Sequence, residues 1–308
     1  MALRFTFRQL EYFVAVGRAG SLSAAARQVN VSAPSLSTAI AQLEAEFGLP
    51  LFTRQHAQGL ALTDAGQRLM ERAAALLEEA GALGDLAADI AQTVGGPISI
   101  GCLVTFAPLL MGPLRRSFTD ACPEARISMQ AAHQAALMHY LDRGEIDVAL
   151  TYDLDLPKTT LFEPLLDLPL HAVLPEGHPL ATGDAVSLEQ LAREPLVLLD
   201  LPHSRDYFMA LFQAAGLRPH ITERCDNMGV MQSLVGNGFG YGLINLRPGV
   251  ALSPDGAALR YVPIAGMQRP MVLGLARKRA EHSARIVTAF ADHLRACLAQ
   301  GTLPGLVP

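Results

Sequence analysis

Residues 21–44, Ser21-Leu22-Ser23-Ala24-Ala25-Ala26-Arg27-Gln28-Val29-Asn30-Val31-Ser32-Ala33-Pro34-Ser35-Leu36-Ser37-Thr38-Ala39-Ile40-Ala41-Gln42-Leu43-Glu44, read as two short helices joined by a tight turn. Ser21 or Ser23 caps the first, and Ala24, Ala25 and Ala26 allow a neighbouring helix to come close. Asn30 and Val31 break it. Ser32 caps the second helix, whose first turn tolerates Pro34 because the N–H missing there would have had no partner. Leu36, Ile40, Leu43 and Phe47 follow at i, i+4, i+7 and i+11 as one apolar stripe. The opposite face offers Ser35, Ser37, Thr38 and Gln42, short or polar donors and acceptors. A helix-turn-helix that enters a major groove needs this division into a packed face and a bare one. Taken alone, the stretch reads more readily as a plain amphipathic hairpin, and it is the flanking residues that shift the balance.

Outward from this stretch the pattern extends in both directions. Residues 6–18 form a helix through Leu10, Phe13, Val14 and Gly17, with Gly20 ending it. After Gly48 and Pro50, the runs around Leu51-Phe52-Thr53 and Leu60-Ala61-Leu62 flank a polar segment and predict a hairpin wing. Arg54 and His56 stand where a wing touches phosphates or the minor groove. Thr63 caps the next helix, with Asp64 favourable at its positive end. That helix runs to about Gln92, on the order of 45 Å at 1.5 Å per residue. Leu69, Leu76, Leu83 and Ile90 recur in it at strict sevens. So narrow a stripe has little of its own chain to cover it, and a second copy of the helix is the natural cover. A core helix of a larger domain is the alternative.

Gly95-Gly96-Pro97 marks a hinge. Beyond it, short apolar strands alternate with helices, which predicts a parallel α/β sheet. Strands are expected at 98–102, 126–130, 146–151, 170–174, 196–199, 221–224, 241–244 and 271–275. Helices are expected near 106–119, 134–142, 187–192, 204–215, 227–236 and 280–299.

The chain has 308 residues, half of them hydrophobic and 17% charged, long enough for two or three domains with real cores. Net charge is −5, which excludes a uniformly basic nucleic-acid binder. The first 65 residues hold five arginines against four acidic groups, a weak footprint that fits an assembly in which several such footprints add. Cys102, Cys122, Cys225 and Cys297 are scattered, with no metal-ligand spacing, and point to a reducing compartment. The start lacks the apolar core of a signal peptide, and no apolar run reaches membrane-span length. A cytoplasmic protein is expected.

The N-terminal residues resemble the LysR-type transcriptional regulators. The resemblance is carried by Arg8-Gln9-Leu10-Glu11-Tyr12-Phe13, Gly20-Ser21-Leu22, Ala24-Ala25, Val31-Ser32, Pro34-Ser35-Leu36-Ser37, Ile40, Leu43-Glu44, Gly48, Leu51-Phe52, Arg54 and Leu62-Thr63-Asp64-Ala65-Gly66. Further on, Gly144-Glu145-Ile146-Asp147-Val148-Ala149, His178-Pro179-Leu180-Ala181 and Leu234-Val235-Gly236-Asn237-Gly238-Phe239-Gly240 look like the family's effector-binding region. The resemblance implies a winged helix-turn-helix over 1–63, an antiparallel linker and dimerisation helix over 64–94, and an effector-binding domain over 95–308. That domain would be α/β with two lobes of periplasmic-binding-protein type, lobe I at 95–167 and 268–308 and lobe II at 168–267. The chain would cross between them near Asp167-Leu168 and Gly266-Met267. The implied partners are double-stranded DNA with an interrupted inverted repeat, a small organic effector, further copies as homodimer or homotetramer, and RNA polymerase if the protein activates. Ser32, Pro34, Ser35, Ser37, Thr38 and Arg54 are the expected DNA contacts. Ala33 stands where the family usually has glutamine, and Thr38-Ala39 where it has a basic or long polar pair, so a target sequence does not carry over.

Chemistry is sparse. Gly236, Gly238, Gly240 and Gly242 alternate by two and miss the dinucleotide-turn spacing; a helix end entering a strand accounts for them better. There is no P-loop, His-Glu-x-x-His or Gly-x-Ser-x-Gly, so no catalytic residue, metal or cofactor is expected. Asp153 and Asp155 read as a loop after a strand. Ligands of open α/β sheets sit beyond the carboxyl ends of strands, at helix N-termini. Four such junctions nominate Thr105, then His133 and Gln134, then His203, Ser204 and Arg205, then Asn227 and Met228. The family resemblance puts all four on one cleft. Thr105 and Ser204 at helix starts, with Arg205 beside them, favour a carboxylate. Val104, Phe106 and Met228 can line the same cleft, which leaves a neutral or apolar effector as the alternative. A solute-binding or interaction protein, and a redox sensor built on Cys225, are the alternatives.

Overall fold

Thr6 opens α1 (Phe7–Ala19) with a capping box: its hydroxyl accepts from the Gln9 N–H, while the Gln9 side chain accepts from the Thr6 N–H. The computed structural model describes residues 4–55, 59–91, 94–266, 269–279 and 284–303, and the chain divides into two units, 1–93 and 94–308.

In the first unit Gly20 closes α1 at φ 61°, a left-handed cap that glycine adopts without strain. Ser21 then caps α2 (Leu22–Gln28) and Ser32 caps α3 (Ala33–Phe47), each through its hydroxyl. Asn30 turns the chain between them at φ 54°. Leu10, Phe13, Val16, Ala25, Leu36, Ile40 and Leu43 form the core of this unit. Strands β1 (Phe52–Gln55) and β2 (Gly59–Leu62) pair antiparallel as the wing. Its tip, with His56, lies outside the described residues. Helix α4 (Asp64–Ala91) starts where the Gly66 N–H donates to the Thr63 hydroxyl at 2.8 Å. The predicted end at Gln92 also lies outside the described residues. The first turns of α4 are not a free stripe: Leu69, Met70, Ala73 and Leu77 pack on the core of this unit.

The second unit is built on two sheets. The first contains β3 (Gly96–Leu103), β4 (Ala125–Ala132), β5 (Val148–Tyr152), β6 (Thr160–Leu168) and β12 (Met271–Lys278), in the order β4-β3-β5-β12-β6. β3 runs parallel to β4 and β5, whereas β12 is antiparallel to both β5 and β6. Its helices are α5 (Ala107–Ala121), α6 (Gln134–Asp142) and α10 (Arg285–Ala299). The second sheet joins β7 (His171–Pro175) to β10 (Gly242–Ile244) and β11 (Leu259–Pro263), both antiparallel. β8 (Pro195–Leu199) and β9 (His220–Cys225) form a parallel pair, and an isolated bridge joins Leu196 to Tyr241, the residue before β10. Helices α7 (Leu188–Leu191), α8 (Pro202–Ala214) and α9 (Met228–Gly236) accompany it. The chain passes from the first sheet to the second between Leu168 and His171, and returns between Pro263 and Met271. Met267 of the expected return crossing is outside the described residues.

Two expectations are corrected. The sheets are mixed rather than wholly parallel. β6 and β11 were not anticipated because β6 carries Glu163, Pro164 and Asp167, and proline is tolerated there since β6 is an edge strand. No helix among the described residues is long and apolar enough to cross a membrane.

Candidate DNA-reading helix and interlobe cleft

On α3 the two faces separate cleanly. Leu36, Ala39, Ile40 and Leu43 are buried, while Ser32, Pro34, Ser35, Ser37 and Thr38 are exposed. Ser32 is already committed as the cap: its hydroxyl accepts from the Ser35 N–H at 3.3 Å and lies 2.7 Å from the Ser35 hydroxyl. Gln42, on the same polar face, is held by α1, its Oε1 accepting from Gln9 Nε2 at 3.0 Å. Ser37 and Thr38 are exposed beside this Ser32–Ser35 pair, so Ser35, Ser37 and Thr38 form one exposed polar strip on the helix. Arg54 stands on β1 opposite Leu60. Sequence reasoning missed Glu44, whose carboxylate accepts from the N–H groups of Leu51 and Phe52 and anchors the wing to α3.

In the second unit, two cavities share Met228 as a wall. The wider one, of about 480 Å³, is lined by Val104, Leu109, Asn227, Met228, Gln232 and Pro254, among others. The tighter one joins Thr105 and Tyr152, on the side of the first sheet, to Ser204, Phe208 and Asn245 on the side of the second. Thr105, Ser204 and Asn245 are all buried. The Thr105 hydroxyl and the Asn245 side-chain oxygen have no hydrogen-bond partner among the described residues. Burial pushes the Tyr152 phenol up, partly offset by the Thr105 hydroxyl, so the ring stays protonated. It packs edge-on to Phe106 at 4.6 Å.

The nominated junctions divide. Thr105, Ser204, Asn227 and Met228 come together around these cavities, whereas His133, Gln134, His203 and Arg205 line neither. Thr105 is not the expected cap, because the residue in the cap position of α5 is Phe106, one residue later, which makes no side-chain bond. Likewise α8 starts at Pro202, which places Ser204 inside its first turn. Asn227 caps α9, its Oδ1 accepting from Gly229 and Val230. Gln134 is buried and spent on structure, donating to the Leu154 carbonyl and accepting from the Thr151 hydroxyl. Arg205 has its own acids: Nη1 donates to Asp200 at 3.1 Å and Nε to Asp206 at 2.9 Å. Arg224 adds a second bond to Asp200 and, with Arg205, holds that carboxyl below the usual range. The expected carboxylate clamp at Arg205 is thus already filled by the chain itself. Asn245 escaped sequence reasoning; a polar residue directly after the buried strand Gly242–Ile244 was the available signal.

The chemistry elsewhere is structural. Asp153 pairs with Arg269 and accepts from the Val272 N–H. The four cysteines are free thiols. Burial pushes Cys102 up to about 12 and raises Cys225 as well, which disfavours the reactive thiolate. No group of three or more potential metal ligands is found among the described residues.

Comparison with known proteins agrees with this division. The family model for the bacterial regulatory helix-turn-helix protein of the lysR family matches residues 7–67, and that for the LysR substrate binding domain matches residues 91–299. The DNA-binding transcriptional dual regulator OxyR of Escherichia coli K12 is 29% identical over 297 residues, covering 92% of this chain and 95% of that protein. The Hca operon transcriptional activator HcaR of the same organism is 32% identical over 278 residues, covering 89% and 92%. The crystal structure of HinK, a LysR family transcriptional regulator from Pseudomonas aeruginosa, superposes with a TM-score of 0.65 at 35% identity, covering 96% of this chain and 98% of that one. With the helix-turn-helix at one end and the substrate-binding domain over most of the remainder, the chain belongs to the LysR family of DNA-binding transcriptional regulators.

Proposed function

We propose that this regulator reads an interrupted inverted repeat through Ser35, Ser37 and Thr38 of α3, with Ser32, Pro34 and Arg54 positioning it on the phosphates. The observation that carries the reading is the polar face of α3, which is exposed while its opposite face is buried. The division into a DNA-binding region over 1–63, a linker over 64–94 and two effector-binding lobes follows from the same reading. Leu76 and Leu83 are exposed on α4 and support pairing with a second copy, as a dimer or a dimer of dimers. Each dimer then presents two weakly charged footprints to one duplex. A small organic effector in the interlobe cleft shifts the assembly between states that hold DNA differently, which requires unequal affinity for those states. The work is done in the cytoplasm, and RNA polymerase is the further partner where the output is activation.

Selection of bound duplexes from a random-sequence pool tests this directly. The wild type should enrich a two-half-site motif, and Ser35→Trp or Thr38→Trp should lose it while keeping the native melting temperature. Enrichment of no motif, or an unchanged motif with both variants, would remove α3 from the reading role.

A further inference from the structure

The tighter cavity contains two buried polar atoms without a hydrogen-bond partner among the described residues, the Thr105 hydroxyl, which lies beside the Tyr152 phenol, and the Asn245 Oδ1. The orientation of the Asn245 amide is fixed by its neighbour. Its Nδ2 donates to the Leu168 carbonyl at 3.0 Å, and a carbonyl can only accept, so the oxygen is the atom left over. An orphaned amide oxygen in a buried site calls for a donor. Among the described residues no charged side chain lines either cavity, and Arg205, next to Ser204, is engaged by Asp200 and Asp206. A carboxylate brought here would give up its water, meet no cation and face the negative end of the Asn245 dipole. The adjoining walls, Val104, Leu109, Met228 and Pro254, are apolar.

We propose that the effector is a neutral molecule with an apolar body and a hydrogen-bond donor, a hydroxyl or an N–H amide, that donates to Asn245 Oδ1 and meets the Thr105 hydroxyl. This rests on the interlobe cleft being the effector site. The tighter cavity, of about 10 Å³, admits only the ligand's donor group, and the 480 Å³ cavity on the other side of Met228 accommodates its apolar part.

Matched probes test the assignment on the full-length protein by thermal shift and calorimetry. One set is cyclohexanol, methoxycyclohexane and cyclohexanecarboxylate; the other is benzamide, N,N-dimethylbenzamide and benzoate. The alcohol and the primary amide should bind, and their donor-free and anionic counterparts should bind at least about tenfold more weakly. Thr105→Val should weaken the binders by a similar factor, and Thr105→Ser, which keeps the hydroxyl, should restore them. If ethers or carboxylates bind as well as the alcohol and still lose affinity in Thr105→Val, the cleft remains the effector site and the donor assignment is overturned. If nothing binds, or binding survives both Thr105→Val and Met228→Trp, the cleft is not the effector site and both readings fall together.

Discussion

A Cβ at Gly66 would overlap the carbonyl oxygen of Leu51, because the first turn of α4 lies directly against the start of the wing. That explains why glycine closes the Leu62-Thr63-Asp64-Ala65-Gly66 stretch, whose Thr63 hydroxyl also donates to the Pro50 carbonyl at 2.8 Å. Gly66→Ala should therefore destabilise the protein by roughly 1–3 kcal/mol, and Thr63→Ala by about 1 kcal/mol through the lost cap. Urea melts should show both losses; a neutral Gly66→Ala would mean the backbone can yield there. Two histidines set a pH response. His171 Nδ1 donates to the Pro169 carbonyl, and burial lowers its pKa from 6.5; burial lowers that of His293 as well. Each binds fewer protons folded than unfolded, so their contribution is complete above pH 6.5 and is lost as pH falls below it. Urea midpoints should drop between pH 7.5 and pH 5.5, and the drop should shrink in His293→Gln; a midpoint that rises on acidification would reverse the sign.

Among the elements, α3 was the most legible, since the Leu36, Ile40, Leu43 stripe and the Ser32 cap are local signals that need no tertiary knowledge. The expected helix at 134–142 coincides with α6, Gln134–Asp142. Strands β6 and β11 were not legible, because an edge strand takes its polar residues and proline from its position in the sheet rather than from any periodicity. The cleft was legible only in part. Helix N-termini marked where chain ends meet, yet which side chains remain free depends on partners distant in sequence, as Arg205 with Arg224 around Asp200 shows. Helix α4 joins both cases. Its early leucines serve its own unit, while Leu76 and Leu83 stay 39% and 69% exposed. Leu76→Asp would place an unpaired charge in the proposed helix pair, at a cost of several kcal/mol. Sedimentation should then find monomers with DNA affinity lost, whereas an intact dimer would assign the assembly to another surface.

For the molecule as a whole, net charge of −5 leaves DNA affinity to a few footprints acting together rather than to a general basic surface. In the proposed reading, regulation requires that occupancy of the cleft changes how those footprints are presented. Linkage makes that a reciprocal quantity: a ligand that alters DNA affinity must have its own affinity altered by DNA by the same factor. The most direct measurement is a fluorescence-anisotropy titration of the selected duplex with full-length protein, in the presence and absence of the alcohol or amide that binds the cleft. The account predicts a change in the DNA Kd of roughly fivefold or more, which disappears in Thr105→Val while that variant's ligand-free DNA affinity stays at the wild-type value. Identical Kd values with and without a compound bound in the cleft would contradict it.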